Sequence, residues 1–338
     1  MRFRFTEDQT LFRDAAREML ARHCGPEVVR AAYEQGAGAP DAWRHLAEQG
    51  ISGMLLPEAQ GGLGLGMCEL ILILEETGFA ALSEPVVETV AVAGPLLEEC
   101  GATALLARWA PAIAGGRARV GLGLDGQPYV EGADRADLLL MERAGELHAL
   151  TPERALLTAQ ASVDGARRLF TVQWAEGTGT RVAQGEMAAR ALARARLRAT
   201  LGTAAQLIGL GARCVELAVE YAKVRTQFGR PIGAFQAVQH KLVDAFAALA
   251  MARPAVYRAA WSLDRGDPEV DLHVSMAKAQ ASDAATLCTR SALQCHGAIG
   301  YTTEYDLHLY MKRAWALSRA FGDSDHHRAR IARQILGD

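Results

Sequence analysis

From Glu186 to its end the chain carries almost nothing but helical periodicity, broken by one tight Gly/Pro turn. Nearly half of the 338 residues are thereby committed to long helices, which bury their apolar stripes only against one another. The spacing predicts helices over Met187 to Arg225, Gln236 to Arg265 and Asp271 to about Gly297, with a last one over Leu307 to Phe321. The Ala/Arg-rich run at 188–200 has the spacing of an exposed helix start. Before Glu186 the texture differs. Between Gly115 and about Gly185, short alternating pieces (Val120–Leu124, Leu138–Met141, Leu147–Leu150, Leu169–Trp174) are separated by Asp125-Gly126, Asp164-Gly165 and Gly177-Thr178-Gly179 turns, which predicts a small β unit. The segment before residue 115 is helical again. Thr6 and Gln9 have the form of a capping box, a helix follows from Asp41 to Gln49, and Met67 to about Phe79 is apolar on nearly every side. The fold class expected is mainly α with a small β middle domain: helical at 1–115, β at 116–185, and a C-terminal four-helix bundle at 186–338.

Composition narrows the function. With 39 acidic and 36 basic residues the net charge is −3, which gives no electrostatic footprint for nucleic acid. No apolar stretch approaches the roughly 20 residues of a membrane span. The N-terminus MRFRFTEDQ lacks the apolar core of a signal peptide, so a cytoplasmic location is expected. The cysteines Cys24, Cys68, Cys100, Cys214, Cys288 and Cys295 form no CxxC pair and read as free thiols in a reducing compartment, without metal.

Several motifs invite chemistry that their surroundings do not support. Gly62-Leu63-Gly64-Leu65-Gly66 follows a Pro-containing loop instead of a strand, so a flexible turn before a buried helix is expected rather than a phosphate loop. His326 and His327 are helical neighbours pointing about 100° apart, and are expected to be solvated or at an interface. Asp306 with His308, and His273 with Ser275, lack the third member of a nucleophilic triad. Val224 to Ala245 reads as a helical hairpin: Arg225 ends one helix, Gly229 to Gly233 turn the chain, and Gln236 and His240 share a face opposite Phe235, Val238 and Leu242.

The hairpin's RTQFGRPIGAFQAVQHKLVD closely resembles the signature of the acyl-CoA dehydrogenase family. So do LPEAQGGLGLG with the following ELILILEETG, and QCHGAIGYTTEYDLHLYMKRAWAL near the C-terminus. The three motifs stand in family order across the whole α–β–α layout. The resemblance implies an N-terminal helical domain, a β-barrel, here shortened, and a C-terminal four-helix bundle. It implies FAD-linked oxidation of the Cα–Cβ bond of an acyl-CoA thioester, electrons passed to an electron-transfer flavoprotein, and FAD lying across a subunit interface. Carried over, Arg225 meets the FAD pyrophosphate, Phe228 packs on the cofactor, and Gln236 lies near the adenosine half. Gln294, Cys295, His296, Gly297 and Ala298 form the backbone loop, with Ala298 where a second glycine is usual.

The catalytic half of the resemblance is incomplete. The family's base is a Glu, but Phe321-Gly322-Asp323-Ser324 puts Gly322 in its usual position. Counting back without gaps from Gly229 puts the alternative position near Ala199. Asp323, one residue on and one methylene shorter, is the available substitute. Between about residues 117 and 160 nothing matches the strands that touch the flavin. The sequence therefore resembles the smaller subunit of heteromeric dehydrogenases of the steroid side-chain type, which completes the FAD site of a larger subunit in a heterotetramer. The alternatives are a self-sufficient homo-oligomeric dehydrogenase with a relocated base, and a non-enzymatic scaffold without FAD.

Overall fold

The computed structural model describes residues 4–337. The polypeptide opens with α1 (Glu7–His23), α2 (Pro26–Gln35) and α3 (Pro40–Glu48). Thr6 and Gln9 make the reciprocal bonds of the capping box that starts α1, at 3.2 and 2.9 Å. α4 (Met67–Phe79) follows the Gly-rich loop and is buried over most of its surface. The next segment, absent from the sequence reading, is a π-helical turn over Val87–Ala93 that runs directly into α5 (Gly94–Glu99). α6 (Thr103–Ala114) closes the N-terminal part.

Seven strands follow in two sheets. β1 (Val120–Gly123), β3 (Leu138–Arg143), β4 (Glu146–Leu150) and β7 (Thr180–Ala183) form one, in the order β1-β3-β4-β7, with β1 parallel to β3 and the other pairs antiparallel. The second runs β2-β6-β5, from β2 (Val130–Glu131), β6 (Leu169–Gln173) and β5 (Leu156–Gln160). The four expected strands are present. β2, β5 and β7 escaped the pattern because their residues are short, exposed or only half-buried, so no apolar alternation marks them.

The bundle is built on α7 (Gly185–Val224), forty residues and about 60 Å long. α8 (Gln236–Arg265), α9 (Val270–His296) and α10 (Leu307–Arg319) pack around it. Two expectations need correction. The run 188–200 is no exposed start: Ala188, Ala191, Leu192 and Ala195 are buried, and from Leu197 to Gly211 every residue is. Short alanines let neighbouring helices close over a segment whose arginines point outward or into ion pairs. The helix from Leu307 ends at Arg319, short of Phe321, and is not the last, because α11 (Ser324–Leu336) follows. Left-handed conformations at Phe321 (φ 55°) and Gly322 (φ 96°) separate the two.

The crossing of α4 and α7 depends on two glycines. A Cβ on Gly78 would lie 2.1 Å from the Gln206 carbonyl oxygen, and one on Gly209 would lie 1.9 Å from that of Glu75 and 2.5 Å from the Phe79 nitrogen. The backbones touch, so neither side can yield by a rotamer change. Gly209→Ala is expected to cost about 3 kcal/mol and to lower the thermal midpoint sharply. Gly211→Ala, which meets only the flexible tip of Leu249 at 2.9 Å, should cost less. Equal midpoints for the two variants would contradict this packing.

Candidate functional site

The hairpin motif lies at one end of the bundle. Arg225 leaves the helix (φ −70°, ψ 122°) while its N–H still donates to the Tyr221 carbonyl at 2.9 Å. A two-residue ribbon follows, β8 (Thr226–Gln227) against β9 (Arg230–Pro231). Its turn residues Phe228 (φ 52°) and Gly229 (φ 75°) are both left-handed, as a tight hairpin of matching twist requires. For a bulky aromatic this conformation is strained, and the Phe228 side chain is 92% exposed. Arg230 lies over the Phe235 ring at 4.2 Å.

The end of α9 comes to the same place, because Tyr221 on the last turn of α7 stacks on His296 at 4.5 Å. Gly297 adopts φ 65° and ψ −139°, a region essentially reserved for glycine, and no atom would meet a Cβ there. Of the residues expected at the cofactor, Arg225, Phe228, Gln236, Gln294, Gly297 and Ala298 are exposed at this end, and Cys295 is half-buried. His296 departs from expectation. Its ring is buried, Nδ1 lies 2.7 Å from the Ala292 carbonyl, and burial lowers its pKa, so the ring is a neutral packing element. No carboxylate among the described residues pairs with Arg225 or Arg230, which leaves both guanidiniums available to an anion.

The two expected base positions lie elsewhere, each next to a residue that lines one small cavity. Ala199 is fully buried, and its carbonyl accepts the Thr203 hydroxyl at 2.8 Å. Gly322 is walled in, since a Cβ would lie 2.5 Å from the His326 ring and 3.0 Å from His327 Nε2. Its loop is clamped from three sides. The Phe321 N–H donates to Gln127 Oε1 at 3.0 Å, His327 Nε2 lies 3.0 Å from the Phe321 carbonyl, and Lys278 Nζ donates to the Gly322 carbonyl at 2.8 Å. Lys278 also donates to the Ser318 carbonyl and Ser282 Oγ, both at 3.1 Å, which uses all three ammonium protons. Burial brings its pKa down to about 7.

Asp323, the available substitute base, is engaged as a helix cap. Its Oδ1 accepts the His326 N–H at 3.0 Å as the N-cap of α11, and its Oδ2 accepts from Arg319 at 2.7 Å. These bonds hold its pKa below the usual aspartate value, whereas a base for an α-proton is poised near neutrality.

Phe321 and Thr203, neighbours of the two positions, both line a cavity of about 20 Å³, room for roughly one water. Glu84, Glu88, Glu131, Arg167, Gln206 and Arg313 line it too. Three ion pairs surround it: Arg119 to Glu84 at 2.7 Å, Arg167 to Glu131 at 2.5 Å, and Arg313 to Asp164. Sequence reasoning missed this cluster. The one signal was a pair of acids, Glu84 and Glu88, inside an otherwise apolar run.

The remaining motifs are structural. The N-terminus of α4 after Gly66 is already filled by the Asp264 carboxylate, which accepts the Met67 and Cys68 N–H groups at 2.8 Å each. Of the two histidines expected to be solvated or at an interface, His326 is exposed, while His327 is buried beneath the 321–322 loop. His273 meets Ser262 at 3.0 Å and Asp267 at 3.9 Å through the same Nδ1, so no relay runs through the ring. Asp306 pairs with Arg30 at 2.5 Å, while His308 Nδ1 lies 3.0 Å from the Tyr305 carbonyl. Among the described residues no cluster of three or more His, Cys, Asp or Glu could hold a metal, and no helix is long and apolar enough to cross a membrane.

Comparison with known proteins agrees with this architecture. The N-terminal domain of acyl-CoA dehydrogenases matches residues 6–117 and the C-terminal domain matches residues 177–336. The chain is 33% identical to acyl-CoA dehydrogenase IpdE2 of Mycobacterium tuberculosis (strain ATCC 25618 / H37Rv), over 91% of each chain. It is 32% identical to acyl-CoA dehydrogenase IpdE2 of Mycolicibacterium smegmatis (strain ATCC 700084 / mc(2)155), over 98% of this chain and all of that one. The chain belongs to the acyl-CoA dehydrogenase family. Among solved structures, the ChsE4-ChsE5 complex from Mycobacterium tuberculosis shares the fold, with a TM-score of 0.87 over all of both chains at 24% identity.

The cap assignment of Asp323 gives a direct test. Asp323→Ala is expected to cost about 1 kcal/mol and Asp323→Asn only a few tenths. Because the folded pKa is depressed, the carboxylate's contribution is present above the ordinary aspartate range and fades as pH falls through the folded value. Urea unfolding at neutral and acid pH would show this. A loss of dehydrogenase turnover with unchanged stability would contradict it.

Proposed function

We propose that this chain is an FAD-linked subunit of an acyl-CoA dehydrogenase that completes the cofactor site of a larger partner subunit and has no working base of its own. The observation that carries the reading is the cavity bordered by Phe321 and Thr203. That space measures about 20 Å³ and is ringed by ion pairs, with no room for an acyl thioester, while a side chain at position 322 would meet the His326 and His327 rings. The bundle end, by contrast, is open and fits a bound dinucleotide. Arg225 offers an unpaired guanidinium fork to a pyrophosphate, Gly297 lets the backbone come close, Phe228 presents an exposed face, and Gln236 presents an amide to the adenosine half.

FAD, when bound, supplies the acceptor for the β-hydride; the α-proton goes to a carboxylate on the larger subunit. This chain's residues bind and orient. The strained turn at Phe228 and Gly229 fixes where Arg225 and Arg230 point, and the Tyr221–His296 stack holds the Gln294–Ala298 loop beside them. The description of the neighbour as a ChsE4-ChsE5 complex supports a heteromeric assembly, a heterotetramer in this reading. The substrate is then an acyl-CoA, steroid-derived if the resemblance to the steroid side-chain type of subunit extends to it, and the electrons leave to an electron-transfer flavoprotein.

Purifying the chain alone and together with a longer family member from the same genome tests this. Flavin absorption is expected in the joint complex only, and Arg225→Ala in this chain should weaken FAD retention there by about tenfold or more, as loss of a charged hydrogen-bond partner does. A lone chain that purifies yellow and bleaches with an acyl-CoA would overturn the proposal.

A further inference from the structure

The ion pairs around the closed cavity leave one acid over. Glu84 is taken by Arg119, Glu131 by Arg167 and Asp164 by Arg313, the last of which also donates to the Leu82 carbonyl at 2.9 Å. Glu88, half-buried, lines the same cavity and forms no ion pair or side-chain hydrogen bond with another of the described residues. Four carboxylates therefore face three guanidiniums, the Lys278 ammonium being turned to the Gly322 carbonyl beyond Phe321, and Glu88 is left without a positive charge of its own. Nor is there space for a hydrated cation to supply it, since the cavity admits roughly one water. Glu88 is also carried on the π-helical turn 87–93, a geometry that re-aims side chains and recurs at functional sites.

We propose that Glu88 is a proton-binding site, and that its proton completes the charge network that keeps the cavity shut. The groups facing it come from every element around the cavity: Glu84 from the preceding loop, Glu131 from β2, Arg167 from the turn before β6, Thr203 and Gln206 from α7, and Arg313 from α10. Burial, then the negative charge of Glu131, raise the Glu88 pKa to about 7, while Arg167 opposes the rise. The carboxyl is thus neutral at mildly acid pH and ionises across the physiological range. Once ionised it confronts Glu131 across a space that Phe321 helps to close, so the 321–323 loop is the part that responds. This device is independent of FAD and of any partner.

The sign of the linkage follows. The folded state holds a proton that the unfolded chain releases near the ordinary glutamate value of 4.5, so stability declines as pH rises from there to about 7 and levels off above. Glu88→Gln fixes the neutral form. In the full-length chain the variant is expected to lose this part of the decline and to melt about 2–4 °C above the wild type at alkaline pH. Infrared difference spectra of the wild type should show a protonated carboxyl band that titrates near neutrality and is missing from the variant. Amide exchange at Phe321–Asp323 should speed up with pH beyond its intrinsic rate in the wild type only. A wild type with no titrating carboxyl band near neutrality would overturn the proposal, even if Glu88→Gln failed to fold. So would a folded variant that keeps both the band and the wild-type pH slope. Neither result bears on flavin retention, which tests the function proposed above separately.

Discussion

The backbone contact of α4 with α7 is the constraint on which the rest of this molecule depends. Gly78 and Gly209 bring the two helices together without intervening side chains, which draws the N-terminal helices onto the bundle and buries α7 on all sides for four turns. A helix buried all round has no face left for solvent-seeking groups, so its polar members answer to one another. Thr203 bonds its own helix, Gln206 reaches Thr77 at 3.3 Å, and Arg198 grips Glu99. Close packing here also sets the size of the cavity beside Thr203 and Gln206.

That contrast between a filled centre and an open end organises the functional reading. At the centre, ion pairs, a clamped loop and a buried ammonium hold positions 199 and 322 in roles of packing and hydrogen bonding. At the end of the bundle, a strained aromatic stands in solvent, two guanidiniums have no carboxylate partner among the described residues, and a glycine holds a conformation open to few other residues. Exposed strain and unpaired charge are costly in a free chain and make sense where another molecule covers them. At the centre, by contrast, the charges are held by ion pairs or hydrogen bonds, and among the described residues Glu88 alone of the cavity's acids has no ion partner.

Much of this was legible in the sequence, for identifiable reasons. Long helices announce themselves by periodicity, and α4, α8 and the capping box at Thr6 fall where the pattern puts them. The hairpin was marked by Gly and Pro, and its arginine by the family signature. What stayed hidden depends on tertiary packing. The alanines of 188–200 look like an exposed start because small residues carry little hydrophobic signal, yet they are what allows close burial. β2 and β7 are too short to alternate. Asp323 looked like a stray acid until the left-handed pair Phe321-Gly322 placed it at the start of α11. The pairing of Glu131 with Arg167 and of Arg313 with Asp164 joins residues far apart in the chain, so Glu88 could not be recognised as the acid left over.

The central claim is that the interior of this chain no longer admits an acyl thioester. Equilibrium titration of the purified, unassembled chain with an acyl-CoA, followed by calorimetry, tests it most directly. No saturable heat is expected, because the cavity beside Thr203 and Phe321 holds about one water. Saturable binding at one site per chain, abolished by filling the cavity with Thr203→Leu, would contradict it.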